Sequence, residues 1–331
     1  MKIMDCTLRD GANVIGNGFP GGLTELILKG LTENGISIIE FGNAKGIGAY
    51  EVSGAVAPLT DKEYLEMAQP FLGRAEIGMF LNAKRFRKEH VKRAADGGLA
   101  FLRIGADAGD WELSAPVIES VKEHGLKAYY ALMKAYLLTP GELAAEAEKL
   151  ESLGADEVTI MDSAGTMRPG AVKEYTEALK RAVRIPVGFH GHNNLGFSAA
   201  NAVSAAEGGA DLIDCGLLGM ARSAGNIPTE LAAAVLEKET KGIDFFGLLD
   251  FLEHDLIPEM EKYGYHAPIE PLDLVLGYAG CHSSFVESFK RTAAETKTDL
   301  FRLICEASKE NQKNPDKDLI RRIAKKIKNR G

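Results

Sequence analysis

Two histidines, one residue apart, are the first feature of this chain that could carry chemistry. They lie in the run Phe189-His190-Gly191-His192-Asn193-Asn194, and side chains two positions apart on a strand point the same way. Two imidazoles on one face suit a divalent metal ion, which a carboxylate would complete as a facial set of ligands. Asp10 offers that carboxylate and Asn226 a further neutral oxygen. The alternative is a pair of hydrogen-bonded core histidines.

Arg9 stands directly before Asp10 and could serve the same site. A buried arginine beside a metal-binding carboxylate either pairs with it or holds an anionic substrate. A guanidinium aimed at an oxygen where negative charge develops, such as that of an enolate, stabilises the transition state. A surface salt bridge is the alternative. We predict Arg9 as a catalytic residue.

Further polar residues are weaker candidates for the same site. Glu40 and Asp162 end predicted strands, where they could contact a substrate or orient Arg9 or the histidines, although structural pairing explains them equally well. Tyr50 lies in a long loop and could donate a phenol hydrogen bond to a substrate. Lys134 could form a Schiff base in a metal-free mechanism, but a metal site makes this redundant, and a lysine lying along the surface is the simpler explanation.

Short apolar runs alternate with helical segments along the first 240 residues, and these runs are predicted to be the strands that position the site. Each run is mostly apolar and is followed by Gly, Asn, Asp or Ser, which is typical of strands buried on both faces. The predicted strands are Lys2–Leu8, Ser37–Gly42, Ala75–Leu81, Phe101–Ala106, Lys127–Met133, Glu157–Asp162, Pro186–His192 and Leu212–Leu217.

Eight consecutive βα units favour a closed (β/α)₈ TIM barrel over an open doubly wound sheet. The first strand leads into Arg9-Asp10-Gly11 without a G-x-G-x-x-G fingerprint, so dinucleotide binding has weak support. Asp10, His190 and Asn226 all follow or end predicted strands, which places them at the barrel end where active sites form. The long loops 43–60 and 219–228 are expected to shape the substrate site.

After Lys241 the pattern becomes helical, so the fold class is α/β, a TIM barrel with a helical C-terminal appendage. We predict a catalytic domain over residues 1–240 and a helical domain over 241–331. Predicted helices cover Phe245–Tyr263, His282–Thr296, Leu300–Asn311 and Asp316–Lys328. The last has an apolar side and a basic side, and we interpret it as a docked surface helix rather than a membrane or nucleic-acid contact.

Composition narrows the function classes. The 331 residues include 39 Lys+Arg against 47 Asp+Glu, for a net charge of −8, which argues against a general nucleic-acid binder. The four cysteines lack C-x-x-C spacing, so neither a disulfide framework nor a thiolate zinc site is indicated. No signal peptide or uncharged apolar run of membrane-spanning length is visible. A cytoplasmic protein without membrane contact is expected.

Three spaced motifs together resemble a known family of metal-dependent barrels. They are Asp5-Cys6-Thr7-Leu8-Arg9-Asp10-Gly11, His190-Gly191-His192-Asn193-Asn194-Leu195 and Ser223-Ala224-Gly225-Asn226. The family includes hydroxymethylglutaryl-CoA lyase, isopropylmalate synthase and 4-hydroxy-2-oxovalerate aldolase. A fourth run, Leu276–Phe285, favours the aldolase branch, so the resemblance covers nearly the whole chain.

The resemblance implies a divalent metal, typically Mn²⁺ with Mg²⁺, Co²⁺ or Zn²⁺ as alternatives, held by Asp10, His190 and His192, with Arg9 at an enolate oxygen. It also implies a small 2-oxo acid substrate, and an aldehyde dehydrogenase that contacts the helical appendage in the aldolases. A homo-oligomer is a further expectation.

This chain departs from the aldolase pattern at two positions. Asn13 stands where the aldolases have a catalytic histidine, and a tyrosine of the aldolases aligns less securely with His282. An amide cannot act as a general base at neutral pH. We predict that His282 supplies that base, since imidazole titrates near neutral pH, and that Asn13 contacts substrate. The alternative for His282 is a residue at a helix start without a catalytic part.

These observations lead to one principal hypothesis and two alternatives. The principal one is a metal-dependent carbon–carbon lyase that cleaves or forms a 4-hydroxy-2-oxo acid through a pyruvate-like enolate. The second is a Claisen-type synthase or lyase that uses an acyl-CoA. The third, suggested by Asn13, is a barrel that has lost catalysis and serves as a binding or assembly subunit.

Overall fold

Eight parallel strands close into a barrel, as predicted. A computed structural model describes residues 1–328 of the chain. Each strand pairs with the next in sequence, and β8 pairs with β1 to close the barrel. The strands are β1 (Lys2–Asp5), β2 (Ile38–Glu40), β3 (Glu76–Asn82), β4 (Phe101–Asp107), β5 (Lys127–Met133), β6 (Glu157–Asp162), β7 (Val187–Gly191) and β8 (Leu212–Cys215).

The predicted strand bounds agree with the structure to different extents. β5 and β6 have the predicted bounds, whereas β1 ends at Asp5, three residues before its predicted end. The chain turns there because the backbone N–H groups of Arg9, Asp10 and Gly11 all donate to the carbonyl oxygen of Cys6. This turn carries Arg9 and Asp10 over the carboxyl end of the barrel.

Helices surround the barrel and bury one face each against the strands. In α6, Thr139 and Glu142 form reciprocal capping hydrogen bonds, Pro140 occupies the first turn, and Leu143 and Leu150 are buried. The barrel helices are α1 (Gly21–Glu33), α2 (Ala49–Ser53), α3 (Asp61–Ala68), α4 (Lys88–Asp96), α5 (Ala115–Glu123), α6 (Pro140–Ser152), α7 (Pro169–Ala182), α8 (Ser198–Glu207) and α9 (Thr229–Val235).

Further helices follow the barrel, as predicted, but several of their bounds differ from the prediction; the helix predicted from His282 begins at Val286. The predicted helix Phe245–Tyr263 is interrupted by a π-helical turn over 252–256, two residues before Pro258, whose missing N–H prevents a regular α-helical bond. Another helix, over 271–279, was not predicted. These helices are α10 (Phe245–Phe251), α11 (Ile257–Glu261), α12 (Pro271–Ala279), α13 (Val286–Thr296), α14 (Leu300–Glu310) and α15 (Lys317–Lys328).

The last helix packs as a surface helix should. In α15, Ile320 and Ile323 are buried, and the helix lies against α13 and α14. Residues 329–331 of the predicted domain 241–331 lie outside the described residues, and the boundary at residue 240 stays a prediction. Within residues 1–328, no helix is both long and apolar enough to cross a membrane.

Charged side chains fill part of the barrel interior. Arg103 of β4 is fully buried and contacts Glu40 of β2 and Asp214 of β8, so its side chain crosses the inside of the barrel. Smaller apolar clusters, separate from the main core between strands and helices, contain Met4, Ile38, Phe101, Tyr129 and Leu212 in one case and Phe80, Ala131 and Met161 in the other.

Candidate active site

The structure brings Asp10, His190 and His192 together at the carboxyl end of the barrel. The Nε2 atoms of His190 and His192 lie 3.6 and 4.0 Å from Oδ2 of Asp10. All three side chains are buried, and one ligand atom from each lies within 4.8 Å of the others. One carboxylate and two imidazoles at this spacing could hold a divalent metal ion.

An unpartnered buried atom supports the fit of this group to a metal. Among residues 1–328, Oδ1 of Asn226 is buried without a hydrogen-bond partner, which costs free energy unless a ligand satisfies it. Asn226 also donates from Nδ2 to Oδ2 of Asp10 at 3.2 Å. Burial, followed by the neighbouring His190, lowers the pKa of His192 to about 4, so its imidazole is neutral at pH 7 and able to bind a cation.

Asp214, which was not predicted as a site residue from the sequence, orients His190. Its Oδ2 lies 3.0 Å from Nδ1 of His190 and accepts a 2.5 Å hydrogen bond from Arg103. A carboxylate that accepts from one ring nitrogen leaves the other nitrogen as the metal ligand. Cys6, His190 and Asp214 also form a second group of potential ligands, but Arg103 contacts both Cys6 and Asp214.

Arg9 lies beside the cluster between two carboxylates. Its Nε donates to Glu40 at 2.6 Å and its NH1 lies 3.0 Å from Asp10. Burial alone would raise the pKa of Asp10, but Arg9, His190 and His192 together hold it well below its usual value. Asp10 is therefore an anion at neutral pH. Arg9 is likewise a permanent cation, because Glu40 and Asp10 outweigh its burial and raise its pKa.

A cavity of about 300 Å³ opens over this cluster. Its walls come from the ends of the strands and from the loops that follow them. The lining residues are Arg9, Asp10, Ala44, Lys45, Phe80, Asn82, Arg85, Asp107, Met133, Lys134, Met161, Ser163, His190, His192 and Arg222. A small organic acid fits a pocket of this size.

Asn13 lies next to the cavity but is not a lining residue. Its Nδ2 donates to the backbone oxygen of Asp10 at 2.8 Å and is 3.4 Å from Oδ1 of the same residue, while its Oδ1 accepts from Lys45 at 3.4 Å. Asn13 therefore links a metal-ligand candidate to a lysine of the cavity wall. Its contact with substrate stays a prediction.

Glu40 and Asp162 are fully buried and hold protein groups rather than lining the cavity. Glu40 binds Arg9 and Arg103, which matches the orienting role considered for it. Both carboxylate oxygens of Asp162 accept backbone hydrogen bonds, from Thr166 and Met167. For both residues, the prediction of substrate contact gains no support.

Tyr50 and His282 are also absent from the cavity lining. Tyr50 is 40% exposed in α2. His282 is exposed at the start of a short turn before α13, where its Nδ1 accepts from the backbone N–H of Ser284 at 3.2 Å. Among the described contacts, none joins His282 to the Asp10 cluster. Its predicted role as base lacks structural support.

Lys134 does line the cavity, and its Nζ lies 3.0 Å from Asp107. Asp107 at the end of β4 and Arg222 in the predicted 219–228 loop were not identified from the sequence, nor were Lys45 and Arg85. A signal for Asp214 and Arg103 was present, since each is a charged residue inside an otherwise apolar predicted strand. Opposite charges on strands that a barrel brings together indicate a buried network.

Comparisons with known proteins agree with this geometry. The profile of the HMGL-like family matches residues 1–251. The chain is 34% identical to 4-hydroxy-2-oxovalerate aldolase 2 of Rhodococcus jostii (strain RHA1) over all of this chain and 96% of that protein. It is 33% identical to 4-hydroxy-2-oxovalerate aldolase of Carboxydothermus hydrogenoformans over 98% of this chain and 96% of that one.

A solved structure supports the fold. The HMG-CoA lyase of Bacillus subtilis superposes with a TM-score of 0.67 at 17% identity and covers 82% of this chain and 97% of its own. The aldolase relatives confirm the prediction of a metal-dependent lyase of the aldolase type, and the family profile confirms the resemblance. The chain belongs to the HMGL-like family.

Proposed function

We propose that this aldolase cleaves, or in reverse forms, a 4-hydroxy-2-oxo acid through the enolate of pyruvate. We further propose that it uses a divalent ion, with Mn²⁺ as the first choice. The ion would be held by Asp10, His190, His192 and Asn226. The observation that carries the proposal is the buried Asp10, His190 and His192 group beside Arg9 at one cavity. The substrate class follows the names of the relatives. Mg²⁺, Co²⁺ and Zn²⁺ are the alternatives for the ion.

The ion, when bound, polarises the 2-keto group of the substrate as a Lewis acid. The protein residues keep its ligands in the required state. Asp214 holds the proton on Nδ1 of His190, which leaves Nε2 free to bind. The low pKa of Asp10 keeps that ligand ionised across the neutral range.

Arg9 assists the cleavage of the carbon–carbon bond. In cleavage the 4-hydroxyl loses its proton and becomes the carbonyl of an aldehyde, and the electrons of the C3–C4 bond pass into the pyruvate enolate. Arg9, held by Glu40 and Asp10 at the cavity wall, stabilises the enolate oxygen. Protonation of C3 then releases pyruvate.

Hydrogen–deuterium exchange tests the enolate directly. We expect the metal-loaded protein to exchange the methyl protons of pyruvate and to cleave 4-hydroxy-2-oxopentanoate, and chelation to stop both reactions. Exchange without cleavage of any 4-hydroxy-2-oxo acid would overturn the substrate assignment. An absence of exchange, with metal bound, would overturn the proposed enolate chemistry.

Asn13 favours a second candidate function, a barrel that binds metal and ligand without turnover. Bound metal and bound pyruvate in the absence of both reactions would support this candidate. The acyl-CoA alternative is tested in the same assay, because consumption of acetyl-CoA in place of pyruvate release would establish it. A cytoplasmic location, a homo-oligomer and an aldehyde dehydrogenase partner stay predictions.

The His282→Ala variant tests the predicted base. Because His282 is exposed and contacts Ser284 rather than the cavity, we now expect this variant to cleave substrate at the wild-type rate. A loss of cleavage with retained pyruvate exchange would instead restore His282 as the group that removes the hydroxyl proton.

A further inference from the structure

The cavity over the metal-ligand candidates carries more positive charge than the reaction at pyruvate needs. Five basic residues line it, Arg9, Lys45, Arg85, Lys134 and Arg222, against the carboxylates of Asp10 and Asp107. The whole chain has a net charge of −8, so the cavity differs in the sign of its charge from the chain as a whole.

Three of the five cations already have carboxylate neighbours. Arg9 is bound by Glu40 and Asp10, and Lys134 lies 3.0 Å from Asp107. Nε of Arg222 lies 3.6 Å from Oδ1 of Asp10. A bound pyruvate moiety would add one carboxylate to this part of the cavity.

Lys45 and Arg85 have no carboxylate within 4.0 Å among residues 1–328. Nζ of Lys45 contacts the amide oxygen of Asn13 at 3.4 Å. The Arg85 guanidinium donates to the backbone oxygen of Lys45, and its Nε is buried with no hydrogen-bond partner in the described part of the chain. An unsatisfied buried donor on a cation is costly unless a ligand accepts from it. Both side chains therefore offer donors and charge to a molecule in the cavity.

Repulsion between like charges also favours the binding of an anion in the cavity. Burial, followed by the nearby Arg222, lowers the pKa of Lys45, and Arg85 and Arg9 add to this effect. Burial also lowers the pKa of Arg85. An anion bound between the two side chains would offset both the repulsion and the lost hydration.

The turn that presents Lys45 is held in place before any ligand arrives. The backbone N–H of Lys45 donates to Oδ1 of Asn43, whose Nδ2 donates to the carbonyl of Ala55. Gly46 has φ +94°, and a Cβ at this position would lie 2.4 Å from the backbone oxygen of Phe80. Only glycine allows this close approach to β3. Such preorganisation suits a binding group.

We propose, on the basis of the proposed function, that the substrate carries a second anionic group, a carboxylate or a phosphate, on its aldehyde-derived half, and that Lys45 and Arg85 bind it. A neutral aldehyde such as acetaldehyde would leave these two cations without a partner. Charge-assisted hydrogen bonds to a carboxylate or a phosphate satisfy them. Asn13 positions Lys45 in this arrangement.

Equilibrium binding tests the second anion independently of turnover. 2-Oxoglutarate and 2-oxopentanoate have the same five-carbon chain and differ in a terminal carboxylate. Calorimetry on the metal-loaded protein should give a dissociation constant roughly tenfold lower for 2-oxoglutarate, the size of one charge-assisted hydrogen bond. Added salt should weaken the binding of 2-oxoglutarate more than the binding of 2-oxopentanoate. Equal dissociation constants for the two acids would overturn the proposal.

Variants show whether the proposed side chains cause the preference. Lys45→Gln and Arg85→Gln should each reduce the ratio of the two dissociation constants to within about threefold. Lys92→Gln is the matched control, because Lys92 pairs with Asp96 on the exposed side of α4 and does not line the cavity. It should keep the wild-type ratio. An unchanged ratio in both cavity variants would show that the anion binds elsewhere.

Aldol addition to pyruvate identifies the anion. Succinic semialdehyde is compared with butanal, and glycolaldehyde phosphate with glycolaldehyde, by kcat/KM. Preference for the first member of a pair assigns a carboxylate or a phosphate, and no preference in either pair overturns the proposal. Failure of pyruvate exchange with a retained 2-oxoglutarate preference would instead overturn the proposed function and leave the anion site standing.

Discussion

Two buried carboxyl groups at opposite ends of the barrel have opposite protonation states at neutral pH. Asp10, at the carboxyl end, is surrounded by Arg9 and the two histidines, and its pKa is held far below its usual value. Glu157 is the first residue of β6, at the amino end. Burial raises its pKa to about 8. Both groups are out of water, so the charged neighbours decide the difference.

The comparison distinguishes a ligand site from a structural carboxyl. At the amino end, Glu157 accepts a 2.6 Å hydrogen bond from Thr159 and can remain neutral. At the carboxyl end, Arg103 and Arg9 keep Glu40 ionised and Asp214 is paired with Arg103. The arginines at the carboxyl end thus keep carboxylates ionised around Asp10, which is the ligand candidate that lines the cavity.

Removal of a histidine from the carboxyl-end cluster should have the largest effect. We expect wild type to contain one tightly bound divalent ion per chain, and His192→Ala to lose the ion and at least about 10³-fold of the pyruvate exchange rate, since one of the four proposed protein ligands is gone. Elemental analysis measures the ion. His254→Ala, which changes an exposed histidine of the helical region, is the control. Equal metal content in the two variants would contradict the site.

Loss of Arg103 should weaken the charge pairing that distinguishes the carboxyl end of the barrel from the amino end. Arg103→Met leaves Asp214 buried without its arginine and Glu40 with Arg9 alone, and breaking a buried ion pair typically costs about 3–5 kcal/mol. Denaturant unfolding measures this change in the free energy of unfolding. Arg181→Met removes an exposed arginine paired with Glu177 and should cost less than about 1 kcal/mol. Similar losses in both variants would show that the buried network is unimportant.

Arg9→Lys should affect catalysis more than binding. Lysine keeps the charge but cannot contact Glu40 through Nε and Asp10 through NH1 at the same time. We expect kcat to fall about 10²-fold with the metal content unchanged. A variant with wild-type kcat would leave Arg9 a purely structural role.

The sequence predicts the barrel and the metal-ligand candidates because both depend on local patterns. β5 and β6 have their predicted bounds, and the H-x-H spacing places His190 and His192 on one side of a strand end. The Arg103 network depends on closure of the barrel, which joins residues more than 60 positions apart. Local sequence patterns do not predict such long-range pairs.

Loop conformation accounts for the remaining differences. Lys45 and Arg222 lie in the two loops expected to shape the site, yet whether either side chain enters the cavity depends on the turn around each, as at Gly46. His282 was predicted from an uncertain alignment, and the helices around it place it at the surface. The barrel framework is thus predictable from the sequence, while the substrate end of the cavity requires the structure.

The amino-end carboxyl should give the smallest effect, visible as a pH dependence. Glu157 has a pKa of about 8 in the folded protein against 4.5 for a free side chain. Between these values the folded state holds a proton that the unfolded state releases, so the free energy of unfolding falls as pH rises from about 4.5 to 8, by at most about 1.4 kcal/mol per pH unit. Glu157→Gln should remove this contribution.

Unfolding midpoints measured from about pH 4.5 to 8 check both the sign and the size of this pH dependence. Glu230, also buried with a pKa raised to about 8, keeps its own contribution, so the slope of Glu157→Gln should be reduced rather than abolished. Glu148→Gln, which removes an exposed carboxylate, should retain the wild-type slope. If Glu157→Gln keeps it too, Glu157 is ionised in the folded protein. The charged neighbours would then not explain the difference between Asp10 and Glu157.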